Sequence, residues 1–480
     1  MNTLLLEIAV VALGIILLLI ESFTNRSDKN FLSYLGAAGL GLILLLSFLP
    51  IHGSAEGSAS AAFVTSDHLA IFFLRFLLLT TLLVTLMAPS FRPVLERYLP
   101  AERAGGGIGE FTILPIFSCA GLMWMVQSID FIMIFVSLEL ATITLYVLVT
   151  YLRQNQASLE AGTKYLILGA LSTGFLIYGI TWIFGVTGTT SLPALPSAIV
   201  LLPASAYTSL LFGIALILVA LSFKIAAFPF QFWVPDVYEG APTPVTAFLS
   251  VASKAAGFVV LIRLLLVLEQ IPFLAVKLNE VIILLAALTL IFGNLAAIPQ
   301  SNLKRLLGYS SIAHAGYLLM GVASLGSILA IPAIGFYFAA YLAMTILAFL
   351  VLMIVSENTG GDEISRFNGL SRRSPLLAGA LLLSMASLAG IPFTAGFVGK
   401  FLIFEVALHQ GHYGLVLLGC VTVATGFYYY FKVIRAMYWL QPAEETPLPV
   451  SSTVKWLIFI LGAAILVLGI YPTPFLAALR

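Results

Sequence analysis

The chain has 480 residues, of which 61% are hydrophobic and 9% charged; its formal net charge is +1 and its mean hydropathy +1.10. An ordinary soluble domain carries about 25% charged residues, so this composition excludes one and describes a polytopic membrane protein. No basic tract suggests nucleic acid, and the two cysteines, Cys119 and Cys420, lie in separate apolar runs and read as packing residues.

Apolar runs predict an all-α protein with fourteen spans, at about 3–22, 31–49, 69–88, 110–128, 131–151, 161–184, 206–232, 243–268, 278–298, 303–323, 327–355, 374–408, 412–440 and 453–475. The first is expected to be a retained helix rather than a signal peptide, because it carries Glu7 and lacks a small-residue cleavage site. Arg75 in the third span faces either a partner subunit or lipid headgroups on this reading. In the fifth, FIMIFVSLELATITLY carries Glu139 nine residues in, and Lys164 lies near the start of the sixth.

The seventh and eighth spans form the most informative stretch, SFKIAAFPFQFWVPDVYEGAPTPVTAFLSVASKAAG. Lys224 comes near the end of an apolar run that Pro229 interrupts five residues later. A proline inside a helix lacks a donor and clashes with the preceding turn, so a break is expected there. A polar turn with Asp236 and Glu239 follows, then Pro242 and Pro244, then an apolar run with Lys254 in its middle. Lys224 could snorkel to the interface, whereas Lys254 is too deep to do so easily.

The tenth span carries His314 within YSSIAHAGY, where it could relay protons or simply bridge helices by hydrogen bonds. As one continuous helix the twelfth span would reach about 50 Å, against a hydrocarbon core of about 30 Å. It must tilt or break, and Gly390-Ile391-Pro392 supplies the break, with Lys400 eight residues after the proline. Glu405 follows five residues later, which turns it onto a different face from Lys400.

The longest connections, at about 50–68, 89–109, 185–205 and 356–373, leave no room for a soluble domain. Gly105-Gly106-Gly107 matches no phosphate-binding fingerprint, and no haem or iron–sulfur ligand pattern is present. Redox and nucleotide chemistry are therefore expected elsewhere. With the N-terminus outside, the inside loops hold Arg26, Lys29, Arg92, Arg97, Arg103, Arg153, Lys304, Arg305, Arg366, Arg372 and Arg373, against Lys277 and Arg480 outside. Eleven against two places both termini outside by the positive-inside rule.

Of the ionisable residues within spans, six stand out as candidates: Glu139, Lys164, Lys224, Lys254, His314 and Lys400. An unpaired charge at mid-bilayer costs on the order of 2.5–3.5 kcal/mol, and such groups usually line an ion or proton path. Burial favours a lysine's neutral amine and a nearby carboxylate its charged form, so a buried lysine beside a glutamate can load and release a proton. The alternative is a set of ion pairs that only hold helices together. A lysine on a proline-broken span recurs five spans apart, as if spans 4–8 and 9–13 were two inverted units. Lys254 has no clear partner in the second unit; Tyr428-Tyr429-Tyr430 and Lys432 are the nearest candidates.

FPFQFWVPDVYEGAPTPVTAFLSVASKAAGF, SNLKRLLGYSSIAHAGY and LAGIPFTAGFVGKF resemble the antiporter-like subunits of respiratory complex I, the bacterial NADH–quinone oxidoreductase, and within them the N type. The resemblance covers about residues 110–440. Lys400 stands where M-type subunits have a glutamate, and no long lateral helix of the L type follows. The resemblance implies an N-terminal three-helix segment (1–109), two inverted five-helix repeats (110–268 and 278–440) with broken seventh and twelfth helices, and a C-terminal helix (441–480). It further implies that Glu139 and Lys224 form a coupled pair, Lys254 and His314 a central relay and Lys400 the terminal site, with Lys164 included. Quinone, NADH, FMN and iron–sulfur clusters would belong to partner chains in the bacterial inner membrane, with K-type and M-type subunits as neighbours. A subunit of a related multi-subunit cation/proton exchanger, and a purely structural membrane-arm subunit, are the two alternatives.

Single cysteines introduced near both termini and in 185–205 should label from outside intact cells, and those in 89–109 and 356–373 only after permeabilisation. Termini labelled from opposite sides would rule out the even span count.

Overall fold

Proline and glycine positions punctuate the apolar runs much as the sequence suggests. The computed structural model describes residues 3–24, 29–49, 62–98, 107–442 and 446–479. Arg26, Arg103, Arg480 and Gly105-Gly106 lie outside the described residues. The helices are α1 (Thr3–Phe23), α2 (Asn30–Leu46), α3 (His68–Tyr98), α4 (Gly107–Gln127), α5 (Phe131–Val149), α6 (Gln156–Thr187) and the short α7 (Leu195–Val200). They continue as α8 (Tyr207–Ile225), α9 (Trp233–Gly240), α10 (Thr243–Phe248), α11 (Lys254–Leu268), α12 (Pro272–Ala297), α13 (Leu303–Val322) and α14 (Ala330–Thr359). The last are α15 (Leu370–Arg373), α16 (Pro375–Ala389), α17 (Ala395–His409), α18 (Tyr413–Trp439), α19 (Ser452–Ile470) and α20 (Thr473–Leu479). Among the described residues there is no strand, only isolated bridges, and eleven helices are long and apolar enough to cross a membrane.

Two runs read as single spans are each divided. α8 ends at Ile225, Ala226 takes a left-handed conformation (φ 65°), and helix resumes at Trp233. α16 ends at Gly390 (φ 91°) and α17 begins at Ala395, after Phe393 at φ 68°. Both breaks fall where the prolines predict them.

Four local features differ from the sequence reading. The third span runs on through Pro89 and Pro93 to Tyr98, because Phe91 and Leu95 are buried there and repay the two missing donors. The polar turn bearing Asp236 and Glu239 is a two-turn helix, α9, in which Pro235 occupies the first turn, where no intrahelical donor is needed. The 185–205 connection is partly helical and pinned to the start of α5 by Asp130, whose Oδ2 accepts from Thr190 Oγ1 at 2.7 Å. Between α10 and α11, Leu249–Ser253 form a π-helical turn that ends at Lys254. Such wide turns frequently mark functional positions and leave no compositional signal.

α14 is the axle, buried along nearly all of its apolar length, and α11 is almost as enclosed. α13, α16, α17 and α19 pack on α14, and α3 and α10 close its other flank. α1, α2, α6, α12, α18 and α19 present exposed large apolar side chains outward. For a chain of this composition that face suits lipid or partner helices, since every helix satisfies its own backbone.

One ion pair ties the N-terminal helices to the core. Arg263, 8% exposed by side chain, donates from Nη1 and Nη2 to both oxygens of Asp67 at 2.8 Å and from Nε to Val126 O at 3.0 Å. Burial alone would raise the Asp67 carboxyl, but the Arg263 hydrogen bonds and charge outweigh it and hold it below its usual range. Glu7 accepts from Gln127 in the same region. Arg263→Met leaves Asp67 with only the Ala70 N–H as donor and takes the donor from the Val126 carbonyl, and should cost about 1–3 kcal/mol. A lower thermal unfolding midpoint in detergent is the expected result, and an unchanged midpoint would show that the pair contributes nothing.

Candidate functional site: a buried file of amines and hydroxyls

Lys224 lies in the last turn of α8, buried, with Nζ donating to Thr142 Oγ1 of α5 at 3.1 Å. Gly257 of α11 lets that helix pass against the lysine stem, since a Cβ there would sit 3.1 Å from Lys224 Cγ. Glu139 is half-buried one turn earlier on α5 and accepts from Thr173 Oγ1 of α6 at 2.7 Å. The two do not form an ion pair within 4.0 Å; Thr142 intervenes on the same face of α5. A cavity of about 20 Å³, lined by Thr142, Ser172, Thr173 and Lys224, is large enough for one water beside the amine. Glu139 also lines an outward-open groove of about 570 Å³ between α5 and α6, with Tyr146 in the wall between groove and cavity.

Lys254 is 2% exposed, and its Nζ donates to Ser311 O at 2.6 Å and Ser311 Oγ at 2.5 Å on α13. The π-helical turn that precedes it ends at this side chain. Tyr341 of α14 donates to the same hydroxyl at 2.9 Å, and Tyr238 of α9 lies 3.4 Å from it. His314, one turn along α13 from Ser311, has a tyrosine hydroxyl on each ring nitrogen. Tyr337 is 2.7 Å from Nδ1 and Tyr430 is 3.2 Å from Nε2.

Lys400 is held by the broken helix itself. Its Nζ donates to Leu388 O at 2.7 Å and Ala389 O at 2.8 Å, the carbonyls freed at the end of α16, and lies 5.2 Å from the centre of the Tyr317 ring. A helix C-terminus offers unpaired acceptors and a partial negative charge, so the break supplies the solvation that an ammonium loses on burial.

Lys164 stands apart from this file. Its side chain is 42% exposed and pairs with Glu160 at 2.6 Å and Asp236 at 2.8 Å. Asp236 is shared with Arg305, which also takes Glu239, each at 2.8 Å. Lys304 adds a bond to Ala241 O at 2.5 Å, at the end of α9. These charges clamp α9 to α6 and α13.

Lys254 meets Ser311 of α13 and not the tyrosine run or Lys432; Lys432 donates to Gln300 O at 2.8 Å. Ser311 was visible beside His314, but one motif cannot reveal which of its hydroxyls faces a lysine 57 residues away. Gln231, in the first break, is fully buried with neither amide atom bonded to protein, and nothing in its apolar surroundings in sequence marks it. Arg75 donates to Ser47 O at 2.6 Å and covers the Phe48 ring, so it closes the end of α2. Glu405 is half-buried on α17.

An all-helical bundle of many apolar spans, with two interrupted helices and a file of buried lysines between them, has the makings of an antiporter-like membrane subunit. The model of the family described as "NADH:quinone oxidoreductase/Mrp antiporter, TM" matches residues 128–427. NADH-quinone oxidoreductase subunit N of Trichlorobacter lovleyi is 39% identical over 98% of this chain and 95% of its own length. The subunit of that name from Moorella thermoacetica is 38% identical over 99% and 96%. A chain of respiratory complex I from Thermus thermophilus superimposes with a TM-score of 0.81 at 32% identity, covering 99% of both chains. A chain of the Mrp complex from Dietzia shares the fold, with a TM-score of 0.82 at 20% identity. The chain belongs to this antiporter-like family, among the N subunits of NADH-quinone oxidoreductase.

Glu139→Gln should remove the negative charge one turn from the Lys224 contact and slow coupled turnover while assembly proceeds. Parental quinone reduction and pumping in the assembled variant would end the idea of coupling between the two.

Proposed function

We propose that this chain is a proton-translocating subunit of the membrane arm of NADH–quinone oxidoreductase, driven by quinone reduction in other subunits. The observation that carries the reading is the file Lys224, Lys254, His314 and Lys400, all buried and each bonded to neutral oxygen atoms or hydroxyls rather than locked in an ion pair. A structural ion pair needs a permanent charge and a counter-charge. An amine resting on hydroxyls and carbonyls can give up its proton and keep its place, because the same oxygens tolerate either form through small rearrangements.

On this reading Glu139 biases Lys224, and protons pass through hydroxyls and bound water by way of Lys254 and His314 to Lys400. Lys164 acts at the margin, through its link to Asp236. The chain would cross the membrane fourteen times: α8 with α9 form the broken seventh crossing, α10 with α11 the eighth, and α16 with α17 the broken twelfth. Residues 110–268 and 278–440 would be the two inverted repeats, framed by 1–109 and 441–480. Both termini would face outward from the bacterial inner membrane. K-type and M-type subunits would flank the chain, with NADH, flavin, iron–sulfur and quinone chemistry in partner chains. The exposed outer faces and the groove at Glu139 support the presence of such neighbours.

Lys400→Arg separates pumping from structural support, because arginine keeps its charge at every working pH. The expected result is normal assembly on native gels with much of the coupled activity lost in vesicles, and Lys400→Ala impaired as well. Were Lys400→Arg to pump like the parent while Lys400→Ala failed to assemble, the lysine would be structural.

A further inference from the structure

The two hydroxyls on His314 lead toward opposite ends of the bundle. Tyr337 lies seven residues into α14, whose other end, Thr359, opens into the arginine-bearing 356–373 connection. It therefore belongs to the half remote from those arginines, where it packs against Gly399 next to Lys400. Tyr430 lies nine residues before the end of α18 at Trp439, and that end meets the arginine-bearing connection, with Gly369 N donating to Ala436 O at 3.0 Å.

From Tyr430 the polar contacts continue in the same direction. Its hydroxyl lies 2.5 Å from Ser310 Oγ, one turn nearer the start of α13 than His314. That start is anchored to the same connection, Leu303 N donating to Asp362 O at 2.8 Å. The Tyr429 ring packs 4.5 Å from the Tyr430 ring, and the Tyr429 hydroxyl donates to Asn294 Oδ1 at 3.1 Å. One turn further along α18, Lys432 reaches Gln300 O. Ser310, Asn294, Tyr429 and Tyr430 are each at most 2% exposed.

We propose that Tyr430 is a proton-carrying residue, and that His314 is a branch point joining a Tyr430–Ser310 arm toward the arginine-bearing end to a Tyr337 arm toward the opposite end. The proposal rests on the proton-translocating reading above. In each passage the Ser310 hydroxyl hydrogen moves to the Tyr430 oxygen while the Tyr430 hydroxyl hydrogen moves to His314 Nε2. Ser310 in turn takes a proton from water at the arginine-bearing end. Each oxygen gains one proton and loses one, so no tyrosinate is left behind. His314 releases its Nδ1 proton to the Tyr337 oxygen, whose own hydroxyl hydrogen passes to water on the Lys400 side, and exchange of the ring proton from Nε2 to Nδ1 through water resets the imidazole; two distinct nitrogens keep the two arms from short-circuiting through one hydroxyl. Tyr429 and Asn294 are positioning residues that hold the Tyr430 ring.

The test uses the whole complex in inside-out vesicles, with assembly checked on native gels and quinone reduction and proton uptake measured together. Tyr430→Phe removes only the hydroxyl and should assemble normally, with coupled turnover lowered at least about tenfold. Tyr430→His restores a group that can accept and release a proton, and should recover much of that loss. A His variant no better than the Phe variant would mean that the tyrosine serves packing, and would overturn the proposal. So would parental pumping by Tyr430→Phe. Should Tyr430→Phe fail to assemble, Ser310→Ala decides: the same loss supports the arm and parental pumping overturns it. Lys254→Ala and Lys400→Ala run alongside. If they lose pumping while Tyr430→Phe keeps it, only the branch fails; if they also keep it, the functional reading fails with it.

Discussion

An ammonium buried at membrane depth must find oxygen atoms to replace the water it gives up, and much of this architecture follows from that requirement. Lys400 obtains them from the broken end of α16, Lys254 from the carbonyl and hydroxyl of Ser311, and Lys224 from Thr142 with a water-sized cavity beside it. Each amine sits beside a departure from regular helix: the end of α8, the π-helical turn before α11 and the end of α16. None of the three uses a carboxylate within hydrogen-bonding distance. The file is consequently held in place by neutral oxygens and without a fixed counter-charge.

Such placement needs helices that approach more closely than ordinary side chains permit. A Cβ at Gly396 would lie 1.9 Å from Ser387 O, so the first turn of α17 rests directly on the last turn of α16, where Gly396 N donates to Ser387 Oγ at 3.0 Å. Gly469 of α19 backs the same break, its Cβ position being 2.4 Å from Phe393 O. The break is thus clamped from two sides, which keeps its freed carbonyls aimed at Lys400 instead of collapsing into continuous helix. Gly257 does the equivalent for Lys224.

Charges at the arginine-bearing end obey a different rule. Lys164, Asp236, Glu239 and Arg305 are partly exposed and form direct ion pairs, because there the cost of desolvation is small and complementary charge is available. Their effect is mechanical: they fix α9, the short helix after the first break, against both halves of the chain. The structure therefore separates amines that are paired for position from amines that are left on neutral oxygens.

Composition and the spacing of apolar runs determined the all-helical membrane character, and Pro229 and Gly390-Ile391-Pro392 determined where two helices break, because backbone chemistry acts locally. The motifs around Lys224, Lys254, His314 and Lys400 were legible for a related reason: a charge inside an apolar run is conspicuous. What faces those charges was not legible. Serine, threonine and tyrosine are common in membrane helices, and only packing decides that Ser311 rather than Tyr428 meets Lys254, or that Tyr337 and Tyr430 take the two nitrogens of His314. The π-helical turn before Lys254 and the exposure of Lys164 were decided in the same way, by contacts between segments far apart in sequence. Periodicity along one helix carries no record of its neighbours, so the residues that carry charge were written in the chain and their partners were settled by the tertiary structure.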